Sequence, residues 1–291
     1  MRGVGTTSGA VTLVNALPTG IGCAVAISLL VRADLDLRHS DGLSAHRIQL
    51  ERGSETELVR ETLAVGLARF APGEMFAGEL RIDSQVPAGK GLKSSSAVGG
   101  AVLRAVASAL RQSRAPEELA RLAAVVAQEI GLSATGAYDD CVAALRGGLV
   151  LTDNTNRTPL RSFPFPPDLR VVLWVPAESH APSTAWRERF RFEAAAGQAA
   201  VEAARAGRWA EAMALNTELV ERVMGYDYAG LRSELLKSGA TMCGVSGMGP
   251  TLAVLVPRVS VDAVVAQLPT DRGQILQADI RPGDGTVGEG G

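Results

Sequence analysis

Apolar positions along the chain switch between two periods. GAVTLVN (9–15) and GCAVAISLLVRADLDL (22–37) are rich in Val, Ile and Leu, and the second alternates through V-R-A-D-L-D-L. Both predict strands, with LPTGIG as the turn between them. AHRIQLE (45–51) predicts another strand. Apolar residues then recur at helical spacing through ETELVRETLAVGLAR (55–69), which predicts a helix, and EMFAGELRIDS (74–84) alternates again as a strand should.

A helix is expected over about 94–112, and Pro116 with Glu117 and Glu118 opens another that runs to about Glu129. A third, short helix follows TGAYDD, and GLVLTD (148–153) predicts a strand. NTNRTPLRSFPFPPD (154–168) holds four prolines and little pattern, so it is the natural place for an inter-domain connection. Beyond it, LRVVLWV (169–175) predicts a strand, and the Ala-, Glu-, Arg- and Leu-rich stretch 183–238 predicts three or four helices. Strands follow at 240–246 and 251–256, then a helix near 260–267 and a strand near 273–280. The terminal PGDGTVGEGG (282–291) has the composition of a disordered tail. Strands and helices mix in both halves without a regular βαβ rhythm, which predicts an α+β fold. Two domains are expected, 1–155 and 156–291, with no internal repeat.

Composition narrows the function classes. The 291 residues are 46% hydrophobic, enough for a substantial core. The formal net charge is -2, which argues against a sequence-independent nucleic-acid binder. Three cysteines (Cys23, Cys141, Cys243) and three histidines (His39, His46, His180) are too scattered for a zinc site, so the thiols read as buried small apolar groups. No apolar segment behind a basic start suggests a signal peptide, and runs such as 22–31 are too short to span a bilayer. A cytoplasmic protein with no membrane partner is expected. Nothing in the sequence bears on a homodimer beyond the general frequency of dimers among soluble enzymes.

The chemistry lies in VPAGKGLKSSSAVGGA (86–101). Glycines let the backbone approach a ligand closely. A helix start offers unpaired N–H groups and partial positive charge, and the two together cradle phosphate. Lys90 and Lys93 add charge, while Ser94, Ser95 and Ser96 add hydroxyls for phosphate or Mg²⁺. A serine cap behind a glycine turn would look similar but would not call for two lysines and three successive serines. GxxxxGK[ST] occurs nowhere in the chain, and the dinucleotide fingerprint is absent too. That absence removes hydride transfer. SGMGPT lacks the last glycine of a nucleophile elbow, and no Ser or Cys has a credible hydrolase context.

Residues Val86 to Ala97 resemble the P-x-x-x-G-L-x-S-S-S-A motif of the GHMP kinases, the galacto-, homoserine, mevalonate and phosphomevalonate kinases. SGATMCGVSGMGPTLAVL (238–255) resembles the third, glycine-rich motif of that family. Lys93, with TGAYDDCVAALRGGLVLTDN (135–154) and GAVTLVNALPTGIGCAVAISL (9–29), resembles the archaeal-type shikimate kinase branch. The resemblance implies two α+β lobes, the first like ribosomal S5 and the second a ferredoxin-like α/β lobe, with ATP and acceptor meeting between them. It implies an ATP- and Mg²⁺-dependent kinase acting on shikimate at its 3-hydroxyl. Homoserine, mevalonate or a cyclitol acid remain alternative acceptors, and a catalytically silent ligand sensor remains an alternative class.

The resemblance also assigns site residues. Pro87, Gly89, Lys90, Gly91, Leu92, Lys93, Ser94, Ser95, Ser96 and Ala97, with Gly247 and Gly249, would bind ATP. Ser95 and Glu129 would hold Mg²⁺. Asn15, Thr19, Gly20 and Asp140 would meet the acceptor. Spacing from Gly147 favours Asp140 as the catalytic acid, while spacing from Gly136 favours Asp139, and the choice stays open. The first motif lacks the basic residue that many members pair with the catalytic aspartate, so Lys93 is the candidate cation. A carboxylate acceptor calls for an arginine fork, and arginines are too plentiful for the sequence to select one.

Overall fold

The computed structural model describes residues 1–40, 45–51, 53, 56–163, 165–166, 168–177 and 185–283. Most of the expected tail, 284–291, lies outside these residues. Two sheets organise the fold. The first comprises β1 (Arg2–Val14), β2 (Ile21–His39), β3 (Arg47–Leu50), β4 (Phe76–Ser84), β5 (Leu149–Asp153) and β6 (Thr158–Phe163). Its order is β3-β4-β2-β5-β6, with β1 also paired to β2. The long β2 is the axis: Ile21–Val25 pair with β5, and Val31–His39 pair with β4.

β1 begins seven residues earlier than its sequence suggests. Its inward positions there are Gly3, Gly5 and Thr7, which carry no hydrophobic signal. Small residues are needed because α2 (Ser94–Ala109) lies directly on the strand. A Cβ on Gly3 would come within 2.1 Å of the Ala105 carbonyl oxygen, and one on Gly5 within 2.0 Å of that of Ala101. The helix answers with alanines at 101, 105 and 109, all buried. α1 (Glu57–Phe70), α3 (Pro116–Glu129) and α4 (Tyr138–Arg146) complete this helical layer.

The proline-rich segment is not a bare connection. It contains β6, which pairs antiparallel with β5 and extends the first sheet past residue 155. Pro159 is tolerated because β6 is an edge strand. We therefore place the lobe boundary after Phe163.

The second sheet has the antiparallel order β10-β7-β9-β8, built from β7 (Leu169–Pro176), β8 (Met242–Val245), β9 (Leu252–Pro257) and β10 (Gly273–Asp279). Both faces of β7 are buried. Val171, Leu173 and Val175 join the core of the first lobe, while Val172 and Trp174 face a second apolar cluster. The helices α5 (Ala185–Phe192), α6 (Ala194–Arg205), α7 (Trp209–Met224) and α8 (Ala229–Lys237) fill the expected helical stretch. The helix expected near 260–267 forms a 3₁₀ turn, Arg258–Ser260, and α9 (Val261–Val265). The chain then returns to the first sheet, where Ile280 bridges Ile27 and the Arg281 N–H donates to the Ala26 carbonyl at 2.9 Å. One continuous core thus runs beneath both sheets.

The close approach of β1 to α2 is testable. Gly5→Ala forces a methyl into the Ala101 carbonyl and should destabilise the protein by about 1–3 kcal/mol, read as a lower urea midpoint at unchanged slope. An unchanged midpoint would mean that helix and strand are not in contact there.

Candidate active site

Two helix N-termini, those of α2 and α4, face one cleft of about 570 Å³. The chain enters α2 through left-handed turns at Gly89 (φ 68°), Gly91 (φ 81°) and Lys93 (φ 68°). Gly91 admits no side chain, since a Cβ would lie 2.3 Å from the Ser246 carbonyl oxygen. The same serine ties three segments together. Its hydroxyl donates to the Gly91 carbonyl at 2.7 Å and accepts from the Thr12 N–H at 3.2 Å. The loop between β8 and β9 is thus closed onto both the glycine loop and β1.

Lys93 passes beside Gly247, where its Nζ would lie 2.7 Å from an added Cβ, and ends 3.1 Å from the Oδ2 of Asp140. Both side chains are nearly enclosed, at 13% and 7% exposure. α4 starts after left-handed Gly136 and Ala137, which bring Asp139 and Asp140 into its first turn. There the helix dipole favours negative charge.

The two adjacent acids have different surroundings. Asp139 is bound by Asn154, whose Nδ2 donates to Oδ1 at 2.7 Å and whose own Oδ1 accepts from the Asp139 N–H at 3.1 Å. It packs against Gly22, where any Cβ would lie 2.4 Å from its Oδ2. Asp140 instead faces the lysine, and its Oδ1 is buried with no partner among the described residues. Burial, then the neighbouring Asp139 charge, push the Asp140 carboxyl up to about 7 against the opposing pull of Lys93. A carboxylate so tuned suits proton transfer near neutral pH.

Most of the expected residues meet here. Gly89, Gly91, Leu92, Lys93 and Ser94 to Ser96 line the cleft, as do Asn15, Asp139, Asp140, Gly247 and Gly249. Others do not. Lys90 donates from Nζ to the carbonyls of Pro176 and Ala177 at 2.8 and 2.9 Å, so it clamps the glycine loop to the end of β7. Ala97 is buried under the loop, its carbonyl accepting from the Thr7 hydroxyl at 2.6 Å, and neither it nor Pro87 lines the cleft. Glu129 sits exposed at the end of α3, outside the cleft lining, so the expected metal role finds no support in its position. Thr19 and Gly20 also lie outside it. The Thr19 hydroxyl accepts from the Ile21 N–H at 3.1 Å, and Gly20 (φ 79°) closes the β1–β2 turn. Asn15 lines the cleft but also has structural bonds, donating from Nδ2 to the Gly247 carbonyl at 3.3 Å.

Several cleft residues escaped the sequence reading: Thr12, Trp186, Arg187, Met224, Tyr226 and Met248. Among the described residues Arg187 is the one arginine in the lining, its guanidinium 5.4 Å from the Trp186 ring centroid. Among the described residues no cluster of three or more His, Cys, Asp or Glu could hold a metal. The three cysteines are free and buried. No helix among the described residues is long and apolar enough to cross a membrane.

This architecture has known counterparts. A family model for the GHMP kinase N-terminal domain matches residues 57–148, and one for the GHMP kinase C-terminal region matches 198–274. The chain belongs to the GHMP kinases, which makes ATP its phosphoryl donor and a hydroxyl its target. Its relatives include the shikimate kinase of Pyrococcus abyssi, 35% identical over 86% of this chain and 90% of that protein. The shikimate kinase of Methanothrix thermoacetophila is 33% identical over 99% of this chain and 97% of that one. Among solved structures, the mevalonate kinase of Methanococcus jannaschii superposes with a TM-score of 0.72 at 15% identity, covering 96% of this chain and 98% of that one. The homoserine kinase of Cytophaga hutchinsonii gives 0.70 at 17% identity, covering 99% and 98%. These two share the fold.

The raised carboxyl has a consequence for stability. Between the ordinary carboxylate range and pH 7 the folded protein keeps a proton on Asp140 that the unfolded chain releases. Its stabilising contribution is complete below about pH 4 and is lost as pH rises through 7. The unfolding free energy of the protein minus that of Asp140→Asn should therefore fall by about 1 kcal/mol or more from pH 4 to pH 8. Urea titrations at several pH values read this, and a flat difference would contradict the assigned environment.

Proposed function

We propose that this protein transfers the γ-phosphoryl group of ATP to the 3-hydroxyl of shikimate. The observation that carries the phosphoryl transfer is the enclosed Lys93–Asp140 pair between two helix N-termini. The acceptor follows from relatives named shikimate kinase that match most of the chain. The cleft suits such an acceptor. Shikimate carries one carboxylate and three hydroxyls, and Arg187 brings a cation to the lining from the second lobe.

In this reading the N–H groups of α2 and the hydroxyls of Ser94 to Ser96 bind the phosphates. Asp140 accepts the proton of the attacking hydroxyl, for which its raised pKa suits it. Lys93 offsets the charge of Asp140 and attracts the γ-phosphoryl. Asn154 fixes Asp139 and with it the first turn of α4. Mg²⁺ fits the donor set as a partial site. Ser95 is exposed and lines the same cleft as Asp139, and this ion commonly takes one or two protein carboxylates with phosphate oxygens and water. Ser95 with Asp139 would hold it, and the ion would neutralise phosphate charge.

The test is ADP release with MgATP against shikimate, homoserine, mevalonate and several cyclitol acids. Turnover with shikimate is expected, and turnover confined to another alcohol would sink the acceptor assignment. Arg187→Ala should raise KM for shikimate about tenfold or more while leaving KM for ATP unchanged, because it removes a charge-assisted contact to the acceptor alone. An equal rise in both constants would place Arg187 elsewhere in the reaction.

A further inference from the structure

Two residues that line the cleft each have a buried side-chain atom with no hydrogen-bond partner among the described residues: Oδ1 of Asp140 and Oγ1 of Thr12. An unmet buried polar atom is destabilising, so each calls for an explanation. Thr12 is 1% exposed and lies in β1 between Val11 and Leu13. Its strand neighbours Val11, Leu13 and Val14 are aliphatic and fully enclosed. Valine has nearly the shape of threonine and would satisfy the strand better. No hydrogen bond among the described residues gives the hydroxyl a structural task.

Its place in the cleft suggests a chemical one. The Thr12 N–H donates to Ser246, which holds the Gly91 carbonyl, so Thr12 lies at the foot of the glycine loop. The next residue, Gly247, packs on Lys93, and Lys93 reaches Asp140. Thr12 and Asp140 therefore belong to one connected patch around the lysine. They are also complementary. An alcohol has one proton to give and lone pairs to receive, a carboxylate only accepts, and a threonine hydroxyl can donate.

We propose that Thr12 contacts the reacting alcohol, its Oγ1–H donating to the alcohol oxygen while Asp140 Oδ1 accepts the alcohol proton. This deepens the kinase reading above and rests on it. The bond formed joins the alcohol oxygen to the γ-phosphorus of ATP. The bond broken joins that phosphorus to the β–γ bridging oxygen, which leaves with ADP. The alcohol proton passes to Asp140, and Thr12 keeps its own. Thr12 acts by fixing the direction of the attacking lone pair, where small misplacements are expensive in rate.

Thr12→Val and Thr12→Ser test this beside the wild type, using whichever alcohol of the acceptor panel the wild type phosphorylates. Without ligand, Thr12→Val should melt at or above the wild-type temperature, because it removes an unmet polar atom. Its kcat/KM for the alcohol should fall at least about tenfold with KM for ATP within roughly twofold, and Thr12→Ser should recover most of the loss. Unchanged kcat/KM in Thr12→Val would overturn the contact. So would a lowered melting temperature with both substrates affected alike, which marks a structural residue. A rise in KM for ATP alone would also overturn it, by placing the hydroxyl on the nucleotide side. Wild-type activity on a different alcohol would sink only the shikimate assignment. Wild-type protein with no transfer to any panel member would sink the kinase reading and this one together.

Discussion

The site depends on one ion pair kept away from water. Lys93 and Asp140 meet at 3.1 Å in a cleft that leaves each mostly enclosed. Enclosing two charges is costly, and removing one partner of such a pair typically costs about 3–5 kcal/mol. The fold meets that cost by supplying fixed dipoles. Asp140 stands in the first turn of α4, and the N-terminus of α2 opens beside it. Neither helix could be so placed without the left-handed turns that precede it.

The second lobe completes this arrangement rather than merely covering it. Ser246 bonds to the glycine loop and to β1, Gly247 leaves room for the lysine, and Asn15 ties the first turn to the same loop. Lys90 adds a link from the glycine loop to the end of β7. A continuous apolar core under both sheets fixes the lobes in this relation. Phosphoryl transfer asks mainly for positioning and charge neutralisation, and rigid packing of this kind provides the positioning.

Much of this was legible in the chain. Period-two and helical spacing located most strands and helices, because residues such as Val171 to Val175 and Leu58 to Leu67 declare their burial by side-chain type. The early part of β1 was silent, since its inward residues are Gly3, Gly5 and Thr7 and their burial serves a helix that packs too closely for larger groups. β6 was hidden by its prolines, which an edge strand tolerates. Lys93, the aspartates and much of the glycine loop are close in sequence to recognisable turns, and they meet in the cleft. Telling the surroundings of Asp140 from those of Asp139 needed three dimensions, because only geometry shows that Asn154 engages one and Lys93 the other. Thr12 and Arg187 were missed for opposite reasons: one polar residue in an apolar strand passes for tolerance, and one arginine among many carries no mark. Glu129 was a carboxylate made conspicuous by small neighbours, yet its helix end is exposed and lies outside the cleft lining.

The most direct test of the central claim is a double-mutant cycle on turnover, using Lys93→Ala, Asp140→Asn and the double variant with MgATP and shikimate. If the pair acts as one unit, each single change should cost about a hundredfold or more in kcat, and the double variant should lose little beyond either. Losses that multiply would show that the two residues act independently, and would contradict the account.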